Sequence, residues 1–311
     1  MRVCVTGATG QIGGALVKRL LAENVEVRAL ARPSERAKAL EARRVQVVCG
    51  DLGDRQAIEQ AIHGTEVVYH IAAKVNGRGG LQEFVETNVK GTEWVLDSCL
   101  RQGVRRVVYL SSLAVYGLAE EGKPIDEETD HDPVPEKRDL YSRTKIAAER
   151  LAVSFTKRNL PVTILRPGLV YGPGRALPLG LLAFRVGRTN IVFGKKQQRI
   201  PLNFVDNLVD AILLAGNEKG NGLRQYNLVD DDNLTLGRYH EEKSRADRTR
   251  TIFLPGWPVL LGGSLGGIPR HHAQRALQDR WYDTRRIREE LGWRPRISLT
   301  EAIRQTLETA G

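Results

Sequence analysis

Tyr141 and Lys145 stand four residues apart in Tyr141-Ser142-Arg143-Thr144-Lys145, a spacing that puts both side chains on one face of a helix. A free phenol, with a pKa near ~10, exchanges protons poorly at neutral pH. A nearby ammonium stabilises the phenolate and lowers that value, so the pair is suited to passing a proton to or from an alcohol or ketone. Upstream, Tyr109 to Gly117 reads YLSSLAVYG, with Ser111 and Ser112 directly after a β-branched apolar run. In a doubly wound sheet, ligands gather at the carboxyl ends of the strands, where a serine can hydrogen-bond a substrate oxygen beside the tyrosine. The same serines can also serve as plain turn caps.

A second cluster lies at the start of the chain, in Thr6-Gly7-Ala8-Thr9-Gly10-Gln11-Ile12-Gly13. Glycines at this spacing allow a tight turn, a close approach of backbone to a pyrophosphate, and tight packing of helix on strand. The helix that follows offers free N–H groups and the positive end of its dipole. A dinucleotide cofactor is the expectation. The second strand ends in Val27-Arg28-Ala29-Leu30-Ala31-Arg32, without the acid that holds the 2′-hydroxyl of NAD. Arg32 therefore favours NADP(H), with NAD(H) the alternative if Arg32 is only a solvated loop residue. Asp51-Leu52 follows the third strand, placed for an adenine edge, for the N-cap of the helix RQAIEQAI, or for both.

These residues need a scaffold. Short β-branched runs alternate with helical patterns: RVCVTG, IGGALVKRLLAE, VEVRAL, ERAKALEA, VQVVCG, RQAIEQAI and EVVYHIA. This alternation predicts βαβ units and an α/β fold, a doubly wound parallel sheet covered by helices on both faces. A helix around Thr92 to Gln102, strands at Arg106 to Leu110 and Val162 to Arg166, and a helix from about Leu140 bring the count to six parallel strands. The proline- and acid-rich stretch between Gly117 and Leu140 reads as an active-site flap. We divide the chain into a cofactor domain at 1–174, to which 201–229 returns, and a smaller substrate lobe from 175–200 and 230–311.

The 311 residues are 41% hydrophobic and 27% charged, the profile of a chain that folds around its own core. Lysines and arginines exceed acids by 47 to 37, a net charge of +10 that raises nucleic acid, an anionic membrane or a phosphorylated ligand as partners. The basic residues are scattered, and RADRTRT at Arg245 to Thr251 has no interleaved aromatics, so nucleic acid is not expected. The most apolar stretch, Ile252 to Pro269, is broken by prolines and glycines, so no membrane span is expected. Cys4, Cys49 and Cys99 lack metal-ligand or disulfide spacing, so no metal is expected and a cytoplasmic location fits best.

Taken in order, TGATGQIG, Asp51-Leu52, HIAA at His70 to Ala73, TNVKGT around Asn88, SSLAVYG, YSRTK and LRPGLVYGPG make the chain resemble the extended class of the short-chain dehydrogenase/reductase superfamily. The likeness runs to about Ala215 and returns in the closing LGWRPRISLTEAI. It implies a Rossmann-like fold, with Ser112 orienting the substrate and Tyr141 as acid/base. Lys145 would lower the tyrosine pKa and hold the nicotinamide ribose. It also implies cofactor contacts at Gly7, Thr9, Gly10, Gln11, Ile12, Gly13, Asp51, Leu52, Ala72 and Ala73, with Asn88 bracing the site, Pro167 and Gly168 facing the nicotinamide, and a homodimer through the helices near Thr92 and Tyr141.

Within that class two features disagree about the substrate. Leu169 stands where nucleotide-sugar epimerases and dehydratases carry an asparagine on the substrate diphosphate, and Leu113-Ala114 replaces the acidic pair of the dehydratases. Arg199, in contrast, stands where those enzymes place an arginine on the diphosphate, although it can equally be a solvated charge. The expected reaction is interconversion of a small-molecule ketone and a secondary alcohol. The alternatives are an NAD-dependent nucleotide-sugar epimerase and an inactive nucleotide-sensing protein. Phe253, Leu254, Trp257, Val259, Leu260 and Leu261 are candidates for an apolar wall or for plain lobe core.

Overall fold

The computed structural model describes residues 1–75, 79–118, 120, 122–175, 177, 182–259 and 270–309, without the side chains of 270–273. The chain opens with β1 (Arg2–Thr6), α1 (Gln11–Ala22), β2 (Glu26–Ala31), α2 (Glu35–Glu41), β3 (Gln46–Cys49), α3 (Arg55–Ile62) and β4 (Val67–His70). Helix α4 (Leu81–Val85) then runs through a π turn at Glu86–Lys90 into α5 (Gly91–Arg101), followed by β5 (Arg106–Leu110), β6 (Pro124–Ile125), α6 (Leu140–Thr156) and β7 (Val162–Pro167). Next come β8 (Leu169–Tyr171), β9 (Ala183–Val186), β10 (Thr189–Phe193), β11 (Leu202–Phe204), α7 (Val205–Asn217) and β12 (Leu223–Leu228). The chain closes with α8 (Leu236–Asp247), β13 (Arg250–Leu254), α9 (Arg270–Leu277), β14 (Trp281–Tyr282), α10 (Arg285–Glu290) and α11 (Leu299–Glu308).

Seven strands form one parallel sheet in the order β12-β7-β5-β4-β1-β2-β3, the doubly wound, Rossmann-like arrangement that the alternation predicts. The six expected strands are present, and the returning segment adds the seventh, β12, on the edge of β7. Strands β4, β5 and β7 are buried along their whole length, which explains why they read as unbroken apolar runs. On one face Leu16, Val17 and Leu20 of α1 and Leu208, Val209 and Ile212 of α7 pack on the sheet; on the other face lie Ile58, Ala61, Val95, Leu96, Ala148 and Ala152 from α3, α5 and α6. The helix RQAIEQAI is capped by Asp54, whose carboxylate accepts from Ala57 N at 2.9 Å, and not by Asp51. The cap belongs to the residue immediately preceding the helix, because only there does the side chain reach the free N–H groups of the first turn.

From the remaining segments, β9, β10 and β13 make a small three-stranded sheet, and Tyr171, Leu202, Phe204, Leu236, Tyr239 and Ile303 form a separate core. Ile287 and Trp293, from the stretch read as lobe, pack instead in the core under α1 and α7, with Trp293 Nε1 donating to Asn207 O at 3.0 Å. Among the described residues no helix is long and apolar enough to cross a membrane.

The stretch read as a flap is tied down along its described length. Strand β6 pairs with β14, Tyr116 donates its hydroxyl to Asp126 O at 2.9 Å, and buried Arg138 holds the carboxylate of Asp132 and the carbonyl of Tyr116. The Arg138–Asp132 pair is buried on both sides within this stretch.

Candidate active site

In the sheet order, β1 and β4 flank the point at which successive connections change direction, the place where an open α/β sheet leaves a crevice for ligands. Gly7 ends β1 with φ at +74°, and a Cβ there would lie 2.8 Å from Ala72 N at the end of β4. A Cβ on Gly13 would lie 2.2 Å from Gly7 O, so helix α1 can start against the turn only with glycine at that position. Gly10 caps α1 without a side-chain hydrogen bond, which leaves the N–H groups of the first turn to a ligand.

The resulting cleft holds about 580 Å³ and is lined by Gly7, Thr9, Gly10, Gln11, Ile12 and Gly13, with Arg32, Asp51, Leu52, Ala72 and Ala73 along its other walls. Both polar atoms of the Gln11 amide are buried without a hydrogen-bond partner. Such atoms cost free energy unless a polar ligand satisfies them, and a cradle too tight for a Cβ beside an uncapped helix start suits a dinucleotide pyrophosphate. Asp51 accepts from Gly53 N at 2.8 Å, an Asx turn that shapes the cleft rim. Arg36, which the sequence reading passed over, sits at the same end and donates to Thr9 O at 3.2 Å.

Ser112 follows β5 and accepts from Ala114 N at 3.1 Å, capping the short turn Leu113–Val115. Its hydroxyl lies near enough to the Tyr141 phenol to lower the phenol's pKa. The Ser111 hydroxyl, in contrast, is buried without a partner. Asp139 caps α6 by accepting from Ser142 N at 2.9 Å, so Tyr141 lies in the first turn of α6 and Lys145 one turn further on.

Burial pushes the Tyr141 phenol up to about 12; the Ser112 hydroxyl and the Arg175 guanidinium pull against it. The expected lowering of Tyr141 by Lys145 is therefore absent from this arrangement. The Lys145 ammonium is instead spent on Leu110 O at 2.6 Å, on the Tyr109 hydroxyl at 3.2 Å and on the Tyr109 ring face, 4.5 Å from its centre. Burial draws the lysine itself down to about 7, with Glu149 opposing. Arg175, which lines the cleft and bears on Tyr141, followed the GPG turn in the sequence with no local pattern to mark it.

Asn88 links the loop after β4 to α6. It sits in the π turn, a distortion that often marks functional positions, donates to Thr144 Oγ1 at 2.9 Å and accepts from Lys74 N at 2.7 Å. One residue type thus ties the loop after β4 to the helix that carries Tyr141 and Lys145. One turn beyond Lys145 lies buried Glu149, whose Oε1 receives Arg166 Nε at 3.0 Å and Nη2 at 2.7 Å, and meets the partly exposed His131 at Nε2, 2.7 Å away. Burial alone would raise the Glu149 carboxyl, but the His131 hydrogen bond and the Arg166 guanidinium outweigh it and hold the group at about 2.

Pro167 ends β7 and Gly168 follows it, with Gly168 N donating to Asn203 Oδ1 at 2.8 Å. Arg199 is locked in a forked ion pair with Asp279, from Nη2 to Oδ2 at 2.7 Å and from Nε to Oδ1 at 3.1 Å. A guanidinium whose fork already grips a carboxylate has to give up that pair before it takes a phosphate. Phe253 joins the lobe core, whereas Leu254 and Trp257 are exposed and Val259 is buried; Leu260 and Leu261 lie outside the described residues.

Comparison with known proteins agrees with this geometry. Residues 3–228 match the model of the NAD dependent epimerase/dehydratase family. The chain is 36% identical to sterol demethylase protein B of Methylococcus capsulatus over 82% of this chain and 78% of that protein. It is 28% identical to the 2-alkyl-3-oxoalkanoate reductase of Stenotrophomonas maltophilia over 98% of each. Among solved structures, MoeE5 in complex with UDP-glucose and NAD is 26% identical and superposes with a TM-score of 0.77 over 100% of this chain and 98% of its own. A parallel sheet with its glycine turn at the β1–β4 crevice, and a family match spanning that whole sheet, lead to one conclusion: the chain belongs to the NAD dependent epimerase/dehydratase family.

Proposed function

We propose that the protein interconverts a ketone and a secondary alcohol with a nicotinamide cofactor, NADP(H) in preference to NAD(H). The observation that carries this reading is the approach of Ser112, after β5, to Tyr141, in the first turn of α6, near enough for the Ser112 hydroxyl to lower the phenol's pKa. The glycine turn and Gln11 would hold the cofactor, and when bound it supplies or accepts the hydride. Ser112 donates a hydrogen bond to the substrate carbonyl oxygen, and Tyr141 gives that oxygen its proton. With its phenol pushed up to about 12, Tyr141 is protonated at neutral pH, the state that reduction requires. Lys145, one helical turn after Tyr141, is seated on Leu110 O at the end of β5.

The likeness to a reductase of 2-alkyl-3-oxoalkanoates supports this reading, and the likeness to MoeE5 supports a nucleotide-sugar epimerase instead. The Arg199–Asp279 pair weighs against the epimerase, because the arginine such a reading requires is already engaged. Purified protein incubated with NADPH or NADH and a panel of ketones and UDP-sugars separates the two. Net consumption of reduced cofactor with ketones is the expected outcome. Inversion of a UDP-sugar without net consumption would replace the proposal by the epimerase.

The preference for NADP(H) rests on Arg32, which is exposed on the cleft wall with no acceptor for its guanidinium among the described residues. Arg32→Glu is expected to lower kcat/KM for NADPH by roughly 10- to 100-fold, the size of a lost charge-assisted hydrogen bond, and to spare NADH. Equal losses with the two cofactors would assign Arg32 to the fold and not to cofactor choice.

A further inference from the structure

The three-stranded sheet of β9, β10 and β13 has one covered face and one bare face. On the covered side Asn190 and Val192 are buried, and the Phe253 ring meets the His240 ring of α8, 6.0 Å between centres. Side chains alternate along a strand, so Phe184 and Val186 of β9, Ile191 and Phe193 of β10, and Ile252 and Leu254 of β13 share the other side. The register sets them in rows: Ile191 pairs with Phe184 on one side and with Ile252 on the other, and Phe193 pairs with Leu254. The Phe184 and Phe193 rings stand 6.0 Å apart, so the rows are in contact. Phe184, Val186, Ile252 and Leu254 are 38–58% exposed, and Trp257, just beyond β13, is 61% exposed.

The border of this face is cationic. Residues 182–196 and 248–259, the strands with their flanking turns, carry Arg185, Arg188, Lys195, Lys196, Arg248 and Arg250 and no acid. Arg250 shares the bare side with Ile252 and Leu254. Arg188 and Arg248 stand at the same end of the sheet, joined by a hydrogen bond from Arg188 Nη2 to Arg248 O at 3.0 Å, and Lys195 and Lys196 follow β10 at the other end. Of the six, Arg185 alone has a carboxylate within ion-pair distance among the described residues, Asp247 at 3.9 Å, and Arg185 lies on the covered side. The charges at the border of the bare face are therefore open to an outside anion.

A contiguous apolar face of this kind marks an interaction site, and its border selects the partner. A second copy would bring an identical cationic border against it, like charge on like. Single-stranded nucleic acid stacks on aromatic platforms, whereas Val186, Ile191, Ile252 and Leu254 are aliphatic. Apolar side chains that enter the acyl boundary, flanking arginines and lysines that reach phosphates, and a nearby exposed tryptophan are the features of binding at a lipid interface. The net charge of +10 acts in the same direction.

We propose that the bare face of β9, β10 and β13 docks on the surface of an anionic phospholipid bilayer, with Phe184, Ile252 and Leu254 entering the interface and Arg188, Arg248 and Arg250 on the headgroup phosphates. The docking is independent of the reaction that the cleft performs, and none of these residues lines the dinucleotide cleft.

The test is co-sedimentation of the full chain with vesicles of phosphatidylcholine carrying about 30% phosphatidylserine, and with vesicles of phosphatidylcholine alone. Binding to the anionic vesicles is expected to be roughly 10-fold or more the stronger, and to weaken when salt is raised from about 0.1 M to about 0.5 M. Arg188→Gln and Arg250→Gln should each weaken it by roughly 5-fold. Phe184→Ser combined with Ile252→Ser should weaken it by roughly 30-fold or more, since two apolar side chains no longer enter the interface. Because these side chains are exposed, Tm should change little; if the double variant does not fold, the two arginine variants decide. No sedimentation with anionic vesicles, equal binding to the two kinds of vesicle, or variants that bind as the wild type does would each overturn the proposal. A dimer seen by analytical ultracentrifugation and lost in the double variant, without vesicle binding, would give the face to a second copy. Binding to polyuridylate without vesicle binding would give it to nucleic acid.

Discussion

Tyr141→Phe is expected to lower kcat for ketone reduction by roughly 10²- to 10⁴-fold, the usual worth of a positioned general acid. The substitution removes one oxygen from a side chain whose ring is held by α6, so the fold and Tm should change little. Two features make the loss large. The hydroxyl lies near Ser112, and burial keeps it protonated, with a pKa pushed up to about 12. Lys145, drawn down to about 7 and engaged with Leu110 O and Tyr109, is poorly placed to substitute for it. The same chemistry predicts opposite pH behaviour in the two directions. Oxidation needs the phenol to accept a proton, so its rate rises with pH up to the phenol pKa; reduction uses the protonated phenol and does not rise. Initial rates followed by absorbance of the reduced cofactor between pH 6 and 10 provide the check. A phenylalanine variant with near wild-type activity would remove Tyr141 from the mechanism.

Glu149→Ala should destabilise the protein by about 3–5 kcal/mol, because it leaves Arg166 buried without its counter-charge. Arg166 is 2% exposed, and its other contacts are the Tyr116 hydroxyl and the carbonyl of Glu127, neither of which carries a charge. A fall in Tm of roughly 5–8 °C follows from that figure for a chain of this length. The double variant Glu149→Leu, Arg166→Met should be more stable than Glu149→Ala, since it removes the stranded charge as well. A Tm for Glu149→Ala within a degree or two of wild type would show that solvent reaches Arg166.

The cluster also sets an acid limit. Glu149 is held at about 2 in the folded chain against an ordinary 4.5. A depressed carboxylate contributes stability that is fully present above the unfolded value and is lost as pH falls from about 4.5 toward 2. Acid unfolding of the wild-type protein should therefore steepen across that window, and a variant without Glu149 should lack that component.

Much of the site was legible because its signals are local. A glycine at every third position of the first turn, an uncapped helix start and a tyrosine four residues before a lysine are all statements about one segment's own backbone. The alternation of strand and helix periods determined the sheet, since strands buried on both faces must be apolar throughout. The cap of α3 was misread by three residues for the same reason: two aspartates within one short loop satisfy the same local pattern, and only the position of the first helical turn distinguishes them.

What tertiary structure decided are the charges. Arg199 was a free candidate in the sequence until Asp279, 80 residues away, closed on it. Lys145 was expected to act on Tyr141 but bonds to the end of β5, 35 residues upstream. Glu149 shares a helix face with Lys145, yet its partners Arg166 and His131 come from β7 and from the stretch read as a flap. Arg275 reaches Leu113 across 162 residues. The physical reason is common to all of them. Periodicity and turn chemistry record what a segment does with its own backbone, whereas a long cationic side chain takes whichever acceptor the fold brings within about 3 Å, and burial then sets its pKa. The sequence by itself therefore determined the cofactor fold and marked Tyr141 and Lys145 as candidates. The packing of distant segments decided which arginines are spent on the protein.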